Sequence, residues 1–219
     1  MTIAEKITRA KTDYDEVYEA GKQAQYDEFW DEFQGNGTRG VYLYAFSMAT
    51  QLYGWNDTIY NPKYPIIADA GYGVQECFRG NTGITDTKVP IIDRVGNIYS
   101  IFNGCNNLKR VESLTLEVPV TKANHAFFNC IELEEINVIC NGGSFAADLS
   151  LQYSTKLSRA SVTSIINALS TTTTGLTVTL SKTAVNKAFE TTAGAGDGST
   201  SAEWQSLIAP KSNWTISLI

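Results

Sequence analysis

A chain with one histidine has few routes to catalysis. Any Ser-His-Asp or Cys-His device would have to run through His125. That residue sits in a turn, two positions before Phe127, where a surface or hydrogen-bonded structural role is the expectation. Four cysteines, Cys77, Cys105, Cys130 and Cys140, form no C-x-x-C pair, so their spacing fits no zinc pattern. Gly35-Asn36-Gly37-Thr38-Arg39-Gly40 matches a dinucleotide fingerprint in letters only. The fingerprint needs a strand before it and a helix after it, and here a helical pattern precedes and a strand-like run follows. The loop Gly194–Ser199 lacks the Gly-Lys-Ser/Thr of a phosphate-binding loop. Carboxylates crowd the first 34 residues, a poor place for the cleft that glycoside cleavage requires. Asn36-Gly37-Thr38, Asn56-Asp57-Thr58 and Asn213-Trp214-Thr215 match the glycosylation pattern, which has meaning only for a secreted chain. No catalytic residue, metal site or cofactor is expected.

The formal charge of −6 is uneven. Residues 1–34 hold nine acids and four bases, a net of −5, and the rest of the chain is close to neutral. No basic stripe exists to release counterions from a nucleic acid. Residues 1–30 carry charges every few positions and contain no apolar segment of a signal peptide. No run approaches the roughly 20 apolar residues of a membrane span. Synthesis in a cytoplasm, with the cysteines kept as thiols, is the expectation.

The elements that could position a binding surface begin with residues 2–33, which read as one long helix. Ile3, Ile7, Ala10, Tyr14, Val17, Gly21 and Ala24 form a heptad-like stripe, and Tyr26, Phe29, Trp30 and Phe33 continue it in a shifted phase. Thr2 with Glu5 can cap its start and Gly35 to Gly37 can end it. The stripe either packs on the chain's own core or self-associates. Residues 35–70 are aromatic and turn-rich, and form a connector suited to capping an open end of repeats.

Residues 71–157 contain an internal repeat. Phe102, Cys105, Leu108 and Val111 recur as Phe127, Cys130, Leu133 and Ile136 at an offset of 25. An earlier copy starts at Phe78 and puts Ile84 on the leucine position; a later one puts Leu151 and Leu157 on the phenylalanine and leucine positions. Short apolar alternations follow: Val89/Ile91, Leu114/Leu116/Val118 and Ile136/Val138/Cys140. Each unit should make one turn of a coil with a short strand, its apolar residues stacked on those of the next turn. Asn103, Asn106, Asn107, Lys109, Arg110, Glu132, Glu134 and Glu135 are the polar residues that would face outward, as turn chemistry or as a ligand face. Residues 158–219 change texture: a helix capped by Ser161 and running to Leu169, a strand over Leu176–Leu180, helices over Thr183–Phe189 and Ser201–Ala209, and a final strand from Trp214.

The Phe-x-x-Cys-x-x-Leu-x-x-Val/Ile core resembles the BspA-like (treponemal-type) leucine-rich repeats. Leu157 to Leu169, the strand Leu176–Leu180 and the ending Ser212 to Ile219 are similar to the closing module of such proteins in Firmicutes and their prophages. Met1 to Thr8, through Phe29-Trp30, is similar to their leader helix. The resemblance implies an α/β protein in four parts: an amphipathic helix (1–34), an aromatic connector (35–70), a short leucine-rich-repeat solenoid (71–157) and an α/β C-terminal cap (158–219). It implies adhesion or protein display without catalysis, in a virion tail, baseplate or fibre, with a host-surface receptor as partner. Ile3, Ile7, Ala10, Tyr14, Val17, Phe29 and Trp30 are the candidate attachment or oligomer interface, a trimer being favoured. An intracellular or cell-surface scaffold that binds a bacterial protein is the competing expectation.

Overall fold

The computed structural model describes Pro62 and residues 65–219. The expected leader helix, with Ile3, Ile7, Ala10, Tyr14, Val17, Phe29 and Trp30, and nearly all of the aromatic connector lie outside the described residues. Over residues 66–180 the chain winds into a parallel β-solenoid of about five turns, with a few short helices toward the C-terminus. Strands β1 (Ile66–Ala68), β2 (Ile91–Asp93), β3 (Arg110–Leu116) and β4 (Glu135–Cys140) form one parallel sheet in chain order. Its register stacks Ile66, Ile91, Leu114 and Val138 on one another. The repeat offset is not constant, and a bulge in β3 between Val111 and Leu114 takes up the difference.

Alternation turns one side of each short strand inward, and the rest of the core comes from equivalent places in successive coils. Phe78, Phe102 and Phe127 are buried, and their rings stack at 5.4 and 5.7 Å between centroids. Ile84, Leu108, Leu133 and Leu157 make a second buried row, and Val111 lies beside Ile136 in register. The cysteine position runs Asn81, Cys105, Cys130, Ser154, all fully buried. Its side chains tie coils together: Cys105 Sγ donates to the Phe78 carbonyl (2.9 Å), Cys130 Sγ to that of Phe102 (3.2 Å), and Ser154 Oγ to that of Cys130 (3.0 Å). Small residues that can both fill space and donate suit this place. One polar intruder is Asp93, with no exposure, at the place held by Ala68 and Leu116 in the neighbouring strands. Its carboxylate accepts the N–H groups of Val95 and Gly96, and burial pushes its pKa up.

The segment that carries the phenylalanines is a turn in every coil, with its backbone bonds divided between two directions. Glu76, Phe78 and Gly80 donate N–H to the carbonyls of Tyr99, Ile101 and Asn103 in the next coil. Ser100, Phe102 and Gly104 do the same to Asn124, Ala126 and Phe128. The residues between them, such as Cys77, Arg79, Ile101 and Asn103, donate back three positions within their own turn. This alternation needs left-handed backbone two residues before and two after each phenylalanine. The first place holds Glu76, Ser100 and His125 (φ 54°, 50° and 58°), the second Gly80, Gly104 and Asn129 (φ 68°, 79° and 62°). A non-glycine residue there costs about 1–2 kcal/mol, which the coil-to-coil bonds offset at Glu76 and Ser100.

The solenoid changes character after β4. Helix α1 (Arg159–Asn167) lies against β4, and its N-cap is Ser158, not the expected Ser161. Ser161 serves the sheet instead. Its Oγ accepts from Ile136 N–H (3.0 Å) and reaches the Glu134 carbonyl, while Ser164 Oγ accepts from Val138 N–H (3.3 Å) and reaches the Ile136 carbonyl. Two hydroxyls one helical turn apart thus stand in for the next strand and seal the edge of β4. A second parallel sheet follows, of β5 (Leu149–Leu151), β6 (Leu176–Leu180) and β7 (Trp214–Leu218). Helices α2 (Lys182–Ala188) and α3 (Ala202–Ile208) take Ser181 and Ser201 as N-caps. Lys211, only 7% exposed, donates Nζ to the Asn167 and Leu169 carbonyls at the end of α1, where a cation complements the helix dipole.

Leu133→Ala should lower stability by about 2–5 kcal/mol in chemical denaturation; an unchanged midpoint would mean that the leucine row is not the core. Replacing Ser161 and Ser164 together by alanine should cost about 1–3 kcal/mol for each orphaned amide. Hydrogen exchange should then quicken first at Ile136 and Val138, and exchange at parental rates would sink the edge-sealing role.

Candidate binding face

Of the polar residues expected to face outward, Arg110, Glu132 and Asn107 join coils through their side chains. Arg110 pairs with Asp86 of the preceding coil (2.8 Å) and with Glu112 (2.6 Å). Glu132 pairs with Lys156 (2.5 Å), and Arg94 with Glu117 (2.7 Å). Asn107 Nδ2 donates to the Thr82 carbonyl (2.8 Å), one coil away. Exposed pairs of this kind contribute little stability each, but they occupy the groups a ligand would need. Lys109, Glu134 and Glu135 are exposed, and Asn103 and Asn106 half-buried. Asn106 Oδ1 is the one buried side-chain polar atom without a hydrogen-bond partner among the described residues.

A different surface stands out by composition. His125 is exposed and lies edge-on to Tyr99 of the preceding coil (6.4 Å) and to Phe128 of its own (5.6 Å). Phe128 meets Tyr153 of the next coil at 5.0 Å, again edge to face. Phe128 and Tyr153 are each 39% exposed. The row crosses three coils. The left-handed conformation at His125 (φ 58°) and Asn129 (φ 62°) sets the backbone on either side of Phe127, while Phe127 itself turns into the core.

At His125 this row meets a groove of about 270 Å³, lined by Asn124, His125, Asp148, Leu149, Ser150, Thr177 and Thr179. It lies where the turn segment of one coil gives way to strand β5, the terminal strand of the second sheet. Asp148 Oδ1 accepts the Thr177 N–H (2.7 Å) across the β5–β6 step. Two further grooves beside β4 and α1 hold charged residues already in use: Arg110 in one, and in the other Lys156 and Arg159, the latter paired with Glu203 and seated over Phe189.

With that geometry in view, the chain was compared with known proteins: no family model matches it, and no curated protein or solved structure matches it significantly.

Other residues singled out by type fall as follows. The G-x-G-x-x-G segment and the first two glycosylation patterns lie outside the described residues. In the third pattern, Asn213 Nδ2 donates to the Ser170 carbonyl (2.9 Å). The loop Gly194–Ser199 wraps carboxylates: Glu190 accepts from Gly194 N–H and Asp197 from Thr191 N–H and Oγ. Among the described residues no group of His, Cys, Asp and Glu is arranged to hold a metal ion, and no helix is long and apolar enough to cross a membrane.

The four cysteines are free thiols; Cys77, Cys105 and Cys130 are buried and Cys140 is exposed. Burial pushes the Cys130 thiol up to about 12 and holds Cys105 well above the ordinary thiol range. Thiolate is the reactive form. Iodoacetamide should therefore label Cys140 first in the native protein and reach Cys105 and Cys130 only on unfolding. Mass mapping that finds Cys105 or Cys130 labelled as fast as Cys140 would contradict the packing.

Proposed function

We propose that the protein is a non-enzymatic display and adhesion component, of the BspA-like leucine-rich-repeat kind, carried on a phage or prophage particle. The observation that carries this reading is the division of labour in the repeat. Inward places repeat related side chains, Phe78, Phe102 and Phe127 in one row and Ile84, Leu108, Leu133 and Leu157 in another, while the outer face breaks the repeat and carries an unshared aromatic row, half-buried at Tyr99 and exposed at His125, Phe128 and Tyr153. Aromatic side chains held at the surface of a rigid scaffold suit recognition. The sequence supplies the other half of the argument. The stripe expected at Ile3, Ile7, Ala10, Tyr14, Val17, Phe29 and Trp30, on an amphipathic helix, would have to be buried against something. Sister helices, as a trimer, or a baseplate protein would serve, and the repeats would then be held outward as the head.

The test is made in a host that carries the gene among tail genes. Particles released on induction are banded by density and probed with antibody raised against the chain. The expected result is that the chain bands with the particles, and that particles from a deletion strain assemble but adsorb poorly to cells. A chain that stays in the soluble fraction, with deletion particles adsorbing normally, would refute the reading. Light scattering on the purified full-length chain reports separately on self-association.

A further inference from the structure

We propose that the row Tyr99–His125–Phe128–Tyr153 and the groove it meets at His125 form a binding site for a neutral polysaccharide. The proposal rests on the display reading above and names the class of ligand displayed to.

The argument begins with the rings. In the core, Phe78, Phe102 and Phe127 lie nearly parallel, with interplanar angles of 20° and 30°. On the surface the angles are 78°, 87° and 81°, so no ring in the outer row is stacked face-on with another. A sugar ring offers one or both of its C–H faces to such aromatic surfaces, and its hydroxyls then need partners at the side. The groove supplies them. Asn124, Ser150, Thr177 and Thr179 bear amides and hydroxyls, which both donate and accept and so suit hydroxyl groups of either orientation.

The charge pattern selects among ligands. No lysine or arginine lines the groove, and its one carboxylate, Asp148, is held by a backbone N–H. An anionic polymer would find nothing there to neutralise it. The groove that meets the row at His125 is lined mostly by polar side chains, whereas a protein partner needs a broad apolar centre. Spacing agrees as well. Neighbouring rings of the row lie 6.4, 5.6 and 5.0 Å apart between centroids, near the length of one pyranose residue, so successive sugars of an extended chain can meet successive rings. The carbonyls of Tyr99 and Phe128 accept coil-to-coil bonds from Glu76 and Gly104, so little ordering of that backbone is left to be done on binding.

Affinity electrophoresis of the full chain through gels containing dextran, laminarin, galactomannan or pullulan tests this, with carboxymethyl cellulose as the anionic comparison. The sole histidine provides a second readout, since its imidazole NMR signals report on the site alone. The expected result is retardation by at least one neutral polymer, with movement of the His125 signals. Phe128→Ala with Tyr153→Ala should weaken that retardation about tenfold or more, while Ile139→Ala, on strand β4, should leave it unchanged. If the double variant melts early, Tyr153→Leu keeps the apolar bulk and removes the ring, and it should still weaken binding. Retardation by none of the four neutral polymers, stronger retardation by the anionic one, or folded ring variants that bind like the parent would each overturn the proposal. Particle incorporation of the same variants is measured alongside. A chain that enters particles but binds no polysaccharide sinks this site and leaves the display reading. One that binds polysaccharide but never enters particles sinks the display reading alone.

Discussion

Everything in this solenoid depends on how its turn segments share out their N–H groups. A turn that satisfied all its amides internally would have nothing to hold the next coil. An extended strand that spent them all outward could not turn the chain back at each phenylalanine. The alternation resolves the conflict: Phe78 and Phe102 donate forward to the next coil, while Cys77, Arg79, Ile101 and Asn103 close the local turns. Phe78 and Phe102 therefore sit on the middle of three backbone positions bonded to the neighbouring coil, with their side chains in the core and stacked on the next. Left-handed conformations at Glu76, Ser100 and His125 follow from the same geometry, and so does the orientation of the surface beside them.

The inward half of this design was legible in the sequence. Phe, Cys, Leu and Val/Ile recur at a near-constant offset because each must stack on its counterpart, so type and spacing are constrained together. Leu151 and Leu157, assigned to the phenylalanine and leucine places by that spacing, are indeed buried. The outward half was not legible, for a physical reason. Tyr99, His125, Phe128 and Tyr153 occupy four different places relative to the repeat, three before, two before, one after and two after its aromatic or leucine position. They meet only because the coil winds them onto one flank. His125 reads in the sequence as a catalytic candidate or a turn residue; its neighbour Tyr99 comes from another coil and leaves no trace in local spacing.

The C-terminal helix shows how a local rule can be outvoted. Ser158 and Ser161 are both plausible caps for the same helix, three residues apart. Local chemistry does not choose between them, but the open edge of β4 does. Ile136 and Val138 need acceptors, and a helix started at Ser158 brings the hydroxyls of Ser161 and Ser164 to those N–H groups. A non-glycine residue in left-handed backbone is outvoted in the same way. Glycine is the expected choice at such a position, and Glu76 and Ser100 are held there by N–H bonds to the next coil. Gly143 marks the opposite limit: a Cβ at that position would overlap the Val118 carbonyl of the preceding coil, so nothing larger fits.

The hydroxyl seal on β4 also bears on how such a chain can change length over evolutionary time. A duplicated unit appended after β4 would displace α1 and lose its terminator, leaving a raw edge free to recruit other molecules into filaments. A unit duplicated inside the array, between β2 and β4, keeps both its neighbours and the terminator. Growth of the array is thus confined to its interior, and the number of coils can drift while the terminator stays in place.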